Sequence, residues 1–267
     1  MQIGQYFLLG IILFCNSIIE FLPISSTAHS VLLYRYLNPD FIDLNILLSV
    51  AQLAITLSVC FYFRYKIIDI IKTFFFNKQT RIFCYKVLLT CIPTMLFGAV
   101  FHKVLKGFYS SNIAIAIFLF LGGVVMLFIE NSKKYRDDIK TIEDIDVKTS
   151  GKIGLFQMFS LLAGVSRSAT TICSAIFLGV KKNLAIEYSF FISIPISFAA
   201  SCFDLYSNIN FLTNKNNFSC IIFTFIISLI FSLFFMKRLF KILNEYNLKL
   251  FGYYRIIISL LIILLLI

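Results

Sequence analysis

The chain has 267 residues, is 60% hydrophobic and has a mean hydropathy of +0.91. Soluble domains carry about 45–50% apolar residues, so this composition excludes a soluble globular protein and describes one integral membrane domain. The net charge of +11 is spread between apolar spans rather than gathered in one patch, which excludes nucleic acid as the partner and points to the bilayer. The seven cysteines show no CxxC spacing, and neither a disulfide framework nor a zinc site is expected. Trp is absent, so the 13 Tyr must supply most of any interfacial aromatic belt.

A membrane span needs about 20 apolar residues. Region 6–37 is long enough but is broken at Pro23 and the serines after it. Spans are expected at 44–63, 87–101 and 112–129. Segment 131–152 is the long polar stretch, mixing Lys133, Lys134, Arg136 and Lys140 with Asp137, Asp138, Glu143, Asp144 and Asp146. Such a mixed charge run reads as a solvated linker. Region 152–180 is again long and broken, at Gly164 with Ser166, Arg167 and Ser168. Spans at 186–206, 217–236 and 252–267 complete the chain. Each half of a broken region is too short to cross. Both regions are therefore expected to be re-entrant helix–break–helix hairpins, which are tolerable where the break is buried in protein or lines a cavity. Pro93 and Pro195 fall inside spans and read as kinks. Gln52 lies mid-span and is a candidate to face a cavity. Glu187 and Asp204 read as interfacial, and His102 as a residue of an outer loop. The N-terminus lacks the basic region of a cleavable signal peptide.

The halves are related by a shift of 141 residues. Ser25-Ser26-Thr27 then falls on Ser166-Arg167-Ser168, Asn16 falls on Gln157, and the span from Leu44 falls on the one from Ala185. Of 24 Lys and Arg, eighteen lie in segments 64–86, 131–152, 181–185 and 237–249. Only four lie in segments 35–43, 102–111 and 207–216. By the positive-inside rule the rich set is cytoplasmic, and six spans then alternate sides consistently, with both termini outside. Corresponding loops of the halves fall on opposite sides. The expected fold is therefore an all-α membrane protein of six transmembrane helices and two re-entrant hairpins in an inverted-topology repeat, an arrangement common among transporters. The first repeat is 1–130, the cytoplasmic linker 131–152 and the second repeat 153–267.

Ionisable groups at membrane depth are costly and usually face a working cavity. Glu20-Phe21-Leu22-Pro23-Ile24-Ser25-Ser26-Thr27-Ala28-His29 brings a carboxylate, three hydroxyls and an imidazole there. Asn16 and Glu20 are four apart and share a helix face. Pro23 ends that helix, any of Ser25, Ser26 and Thr27 can cap the next one, and His29 lies in its first turn. In the second hairpin Gly164 breaks, Ser166 caps and Arg167 follows. Two helix N-termini near the membrane centre, each with free N–H groups and a partial positive charge, together with the planar fork of Arg167, suit a diphosphate.

These residues resemble the undecaprenyl-diphosphatase family of bacterial inner membranes, also known through bacitracin resistance. The resemblance runs over nearly the whole chain: EFLPISSTAH at 20–29, LLTCIPTMLFGAVF at 88–101, GVSRSATT at 164–171, YSFFISIP at 188–195 and GYYRI at 252–256. It implies an enzyme that removes the terminal phosphate of undecaprenyl diphosphate, recycling the lipid carrier of peptidoglycan precursors. The active site would open to the periplasm and use a divalent cation, Mg²⁺ or Ca²⁺. Glu20 would hold the metal or act as acid and base, with Asn16 as a second metal ligand. Ser26 would be the nucleophile or a phosphate ligand, with Ser25 and Thr27 beside it. His29 would be the general base or the nucleophile. Arg167, with Ser166 and Ser168, would grip the diphosphate.

Four positions depart from the family pattern. Asn16 stands where the family has a glutamate, Ala28 and Ala169 where it has glycines, and Ala163 where it has a proline. Asn can offer a hard cation its carbonyl oxygen but brings no charge and cannot act as a base. The inverted repeat equally fits a second class, a carrier-lipid transporter or binding protein with weak or no hydrolysis. The partners expected are the polyprenyl diphosphate and the bilayer, with a homodimer left open.

Overall fold

The computed structural model describes residues 3–37, 44–132, 139, 141–142 and 144–266. Among these the chain is helical and has no strand; Ile139 and Val180 form one isolated bridge. The first half comprises α1 (Ile3–Ile19), α2 (Ser26–Leu37), α3 (Leu44–Tyr62), α4 (Arg64–Thr73), α5 (Lys78–Ser110) and α6 (Asn112–Asn131). The second comprises α7 (Val147–Gln157), a 3-10 turn at Met158–Leu161, α8 (Arg167–Phe177), α9 (Lys182–Ser207), α10 (Ile209–Thr213), α11 (Phe218–Glu245) and α12 (Leu248–Leu266). Among the described residues four helices are long and apolar enough to cross a membrane: α6, α9, α11 and α5 over Lys78–Phe101. The pair α3 and α4, bent by 75°, makes a fifth if counted as one span. The chain is an all-α, multi-pass membrane protein.

The helices reach further than the apolar runs. Segments 64–86 and 102–111, expected as loops, are largely helical, within α4 and α5. Lys and Arg are good helix formers, so the ladder continues past the last apolar residue. The second hairpin likewise begins inside the segment assigned to the linker. Asp146 caps α7 by accepting from the Thr149 N–H at 2.6 Å. Lys133, Lys134, Arg136, Asp137, Asp138, Lys140 and Glu143 of that linker lie outside the described residues, as does the side chain of His102. Pro93 and Pro195 lie inside α5 and α9, as expected. Glu187 pairs with Lys66, and Asp204 accepts from the Ser49 hydroxyl at 3.0 Å.

Helix pairing follows the 141-residue shift. Helix α1 packs on α11 and its counterpart α7 packs on α5; α3 packs on its counterpart α9, and α6 on α12. Burial is turned outward, as a membrane requires. On α11, Phe218, Ile222, Ile226 and Ile230 are exposed, whereas Cys220, Thr224, Ser228 and Ser232 are buried on the opposite face. Large apolar groups thus meet lipid while small residues let helices approach. Buried Tyr188 ties three helices together: its hydroxyl lies 2.9 Å from Thr90 Oγ1 and donates to the Lys86 carbonyl (3.2 Å), with Ser150 Oγ at 3.2 Å.

Candidate active site

Both broken regions turn in the same way. Helix α1 stops at Ile19, turns carry the chain through Glu20–Ile24, and α2 starts at Ser26; the second break runs from Leu162 to Ser166, after the 3-10 turn, and α8 starts at Arg167. Among the described residues, Ser25 (φ 71°) and Ser166 (φ 73°) are the non-glycine residues with positive φ, and they are 141 apart. Such backbone costs about 1–3 kcal/mol per residue and clusters at functional sites. Each serine offsets part of that by capping the helix it precedes. Ser25 Oγ accepts from the Ala28 N–H at 3.4 Å, and Ser166 Oγ from the Ala169 N–H at 3.3 Å. Of the three candidate caps in the first hairpin, Ser25 takes the role.

Capping Ser25 frees Ser26, whose hydroxyl donates to Glu20 Oε2. Its counterpart Arg167 reaches the same carboxylate: Nη2 donates to Glu20 Oε1 at 3.2 Å. The first residues of the two second half-helices therefore meet on one carboxylate, one on each oxygen. The other nitrogen of Arg167, Nη1, donates to Ser197 Oγ (2.6 Å) and to the Ser193 carbonyl (3.3 Å) on α9. Gln52, the cavity candidate from the sequence, donates to the same Ser197 Oγ at 3.2 Å. Glu20, Gln52, Thr56, Arg167, Ser193 and Ser197 line a small cavity. Ser168 lies 3.2 Å from Ser166 Oγ and donates to the Leu22 carbonyl at 3.2 Å, joining the breaks. Thr27 is half-buried in the first turn of α2.

His29 is turned the other way. Nδ1 lies 2.8 Å from the Ser25 carbonyl, which can only accept, so Nδ1 carries the proton. Nε2 then accepts from the Tyr254 hydroxyl at 2.8 Å, and the two rings stack at 5.7 Å. The hydrogen of Ser26 goes to Glu20 instead.

Sequence reasoning missed the neighbour of Tyr254. Arg255 is fully buried and holds both breaks at once. Nη1 donates to the Pro23 and Val165 carbonyls (3.2 and 3.0 Å) and Nη2 to Gly164 (2.8 Å); Nε donates to Leu119 (3.2 Å). Interrupted helices leave carbonyls unpaired, and one guanidinium satisfies several of them. Gly122 makes the room: a Cβ there would lie 2.0 Å from Arg255 Nη2. Gly164 (φ +102°) passes α6 so closely that a Cβ would lie 2.5 Å from the Ile115 carbonyl. An arginine within an apolar run was a signal in its own right; Tyr254 lay in the GYYRI segment without an assigned role, and nothing marked Ser197.

The family model described as Bacitracin resistance protein BacA matches residues 6–261. The chain belongs to this family. It is 38% identical over 264 residues to the undecaprenyl-diphosphatase of Buchnera aphidicola subsp. Acyrthosiphon pisum (strain 5A), a match covering 97% of this chain and 96% of the relative. It is 31% identical to the undecaprenyl-diphosphatase of Nitrosospira multiformis, covering 93% and 89%. It is also 31% identical to undecaprenyl-diphosphatase 3 of Acinetobacter baylyi, covering 93% of each chain. Of the site residues read from the bacitracin-resistance resemblance, Glu20, Ser26 and Arg167 meet directly, Ser25, Ser166 and Ser168 shape the breaks, and His29 faces α12.

For a divalent cation, Glu20 is the one carboxylate at the convergence among the described residues. Among the described residues no group of three or more His, Cys, Asp or Glu could hold a metal ion. Magnesium is commonly held by one or two carboxylates plus substrate phosphates, and that pattern fits the donors here once a diphosphate supplies the rest.

Proposed function

We propose that the chain hydrolyses undecaprenyl diphosphate to undecaprenyl phosphate and inorganic phosphate, with Ser26 as nucleophile, Glu20 as its base and Arg167 as the diphosphate clamp. The observation that carries this is the Glu20 carboxylate, which accepts from the Ser26 hydroxyl on one oxygen and from Arg167 on the other. A serine hydroxyl is a weak nucleophile until an adjacent base takes its proton. As Ser26 Oγ bonds to the terminal phosphorus, its proton passes to Glu20. The bond from that phosphorus to the bridging oxygen breaks, and the lipid monophosphate leaves with the electron pair. Glu20 then loses that proton to solvent and takes one from the water that attacks the phosphoserine; the Ser26 Oγ–phosphorus bond breaks, the serine oxygen takes the proton back from Glu20, and phosphate departs. Arg167, anchored by Ser197 and the Ser193 carbonyl, neutralises charge on the transferring group. A cation, Mg²⁺ or Ca²⁺, would be held by Glu20 and the diphosphate oxygens and would supply further charge neutralisation. His29 and Tyr254 fix the first turn of α2 behind Ser26.

The same reading takes the molecule to the bacterial inner membrane with six spans and two re-entrant hairpins in inverted repeat, and the site open to the periplasm. Support comes from the basic segments, the matched breaks and the exchanged helix pairs. Glu20, Ser26 and Arg167 belong to one chain, so the site needs no second copy. The test is phosphate release from undecaprenyl diphosphate by purified protein with Mg²⁺ or Ca²⁺. Release that falls at least about 10²-fold in Ser26→Ala and in Arg167→Ala is expected. Full release from Ser26→Ala would remove the serine nucleophile and leave water as the attacking group.

A further inference from the structure

We propose that Asn16 is a positioning residue, one of two matched struts that fix the hairpin register, and not a ligand to a cation. Asn16 is buried, and its Oδ1 accepts from the Ser30 hydroxyl at 3.0 Å. Shifted by 141 residues, the same bond recurs: Gln157 Oε1 accepts from the Thr171 hydroxyl at 3.0 Å. All four side chains are at least nine-tenths buried. An amide and a hydroxyl, fourteen residues apart, join the two arms of each hairpin at the same place.

The spacing explains what the strut holds. Asn16 and Glu20 are four apart, as are Ser26 and Ser30, so each pair lies along one face. The arms of the first hairpin therefore carry two rungs, Ser30 to Asn16 and Ser26 to Glu20. The inner rung sets the register that brings Ser26 to Glu20. In the second hairpin the inner rung is kept, while Arg167 at the outer position crosses to Glu20. Gln157 lies in the hairpin that carries no glutamate at the outer position: Leu161 stands where Glu20 does. A cation role cannot explain the second strut, whereas a packing role explains both. The Ser30 hydroxyl holds Asn16 Oδ1 across the hairpin, on the opposite arm, as the Thr171 hydroxyl holds Gln157 Oε1.

The strut rests on geometry, and its service to Ser26 rests on the function proposed above, so two readouts are needed. Thermal unfolding of the detergent-solubilised protein without added cation is measured for Asn16→Leu, Ser30→Ala and the double variant, and in parallel for Gln157→Leu, Thr171→Val and their double. Phosphate release is then titrated with Mg²⁺. The strut predicts that both single variants of a pair lower the midpoint and that the double variant costs no more than the worse single. It predicts a fall of about tenfold in kcat for Ser30→Ala, with the half-activating Mg²⁺ concentration changed by less than about twofold. A tenfold rise in that concentration for Asn16→Leu, with Ser30→Ala unchanged, would overturn the proposal and make Asn16 a ligand. So would additive unfolding effects. Should Asn16→Leu fail to fold, Ser30→Ala alone decides, since wild-type behaviour in both readouts refutes the strut. If no variant or parent releases phosphate, the unfolding cycles still test the strut, and the failure belongs to the proposed function.

Discussion

At the first break the residue after the left-handed serine is Ser26; at the second it is Arg167. The frames around them are alike: Ser25 and Ser166 share their backbone geometry and their capping bond, and Asn16–Ser30 matches Gln157–Thr171. Residues that face the chain's own backbone or the partner arm are kept between the halves. The residues that meet at the carboxylate differ from their counterparts: Leu161 stands at the position of Glu20, and Ser26 matches Arg167. Two breaks with the same frame thereby bring one hydroxyl and one guanidinium to one carboxylate. The opposition of Ser26 and Arg167 across a single carboxylate follows from the repeat, because equivalent positions are brought to the same place by packing. Ala28 and Ala169 are likewise equivalent positions, both buried and both donating to the capping serine.

The comparison breaks first at Glu20, which has no counterpart. Glu20→Gln keeps the shape but turns one accepting oxygen into a donating NH2, and it removes the base and the charge that Arg167 pairs with. Turnover should fall by about 10³-fold or more, as loss of a positioned base and of its electrostatic partner together imply. Leu161→Glu, which makes the halves symmetric on paper, should not restore it. Phosphate release from the single and double variants measures both, and substantial activity in Glu20→Gln would remove the carboxylate from the chemistry.

The next effect tests what joins the halves. Arg255→Met leaves carbonyls at Pro23, Gly164 and Val165 without their buried donor. Unpaired buried polar groups cost about 1–3 kcal/mol each, and partial relaxation makes about 3 kcal/mol a fair expectation for the whole. Gly122→Ala, whose Cβ would lie 2.0 Å from the guanidinium, should reproduce the loss without touching Arg255. Unfolding midpoints of the two variants compare them directly; a silent Gly122→Ala would mean that Arg255 can shift without harm.

How much of this was legible in the sequence follows from distance along the chain. The breaks, the 141-residue register and the pairing of Asn16 with Gln157 were visible, because polar residues in apolar runs and a repeat are local patterns. The capping serine was undecided among Ser25, Ser26 and Thr27, since only backbone geometry separates them. Ser197, Tyr254 and Arg255 act on residues 30 to 232 positions away, and no local pattern encodes such contacts. His29 showed its residue type but not its direction, which Tyr254 on α12 decides. Helix ends were misjudged for a simpler reason: hydropathy marks where hydrocarbon ends, not where the helical ladder does.

Smaller effects separate the shared frame from the chemistry. Changing Ala28→Gly or Ala169→Gly should destabilise by about 1 kcal/mol each, the helix penalty of glycine, and by similar amounts because the positions are equivalent. Unequal losses, measured by unfolding, would show that the two frames carry different strain.

The smallest effect lies farthest from the convergence, at the start of α7. Asp146 accepts from the Thr149 N–H, and the hydrogen bonds from Thr149 hold its carboxyl below the ordinary value of 3.8. Asp146→Ala should cost about 1 kcal/mol of stability, the usual worth of an N-cap, and leave turnover unchanged, since the cap touches nothing at Glu20. The folded state binds the proton less readily than the unfolded one, so the charged cap contributes fully above pH 4 to 5 or so. That contribution is lost as pH falls through the lowered folded value, where both states become protonated. The gap in unfolding midpoint between parent and Asp146→Ala should therefore be constant near neutrality and shrink in acid. Asp146→Asn, which keeps an acceptor without a titrating proton, should give a gap to Asp146→Ala that does not shrink. A gap that stayed constant for both would show that Asp146 caps α7 through its shape alone.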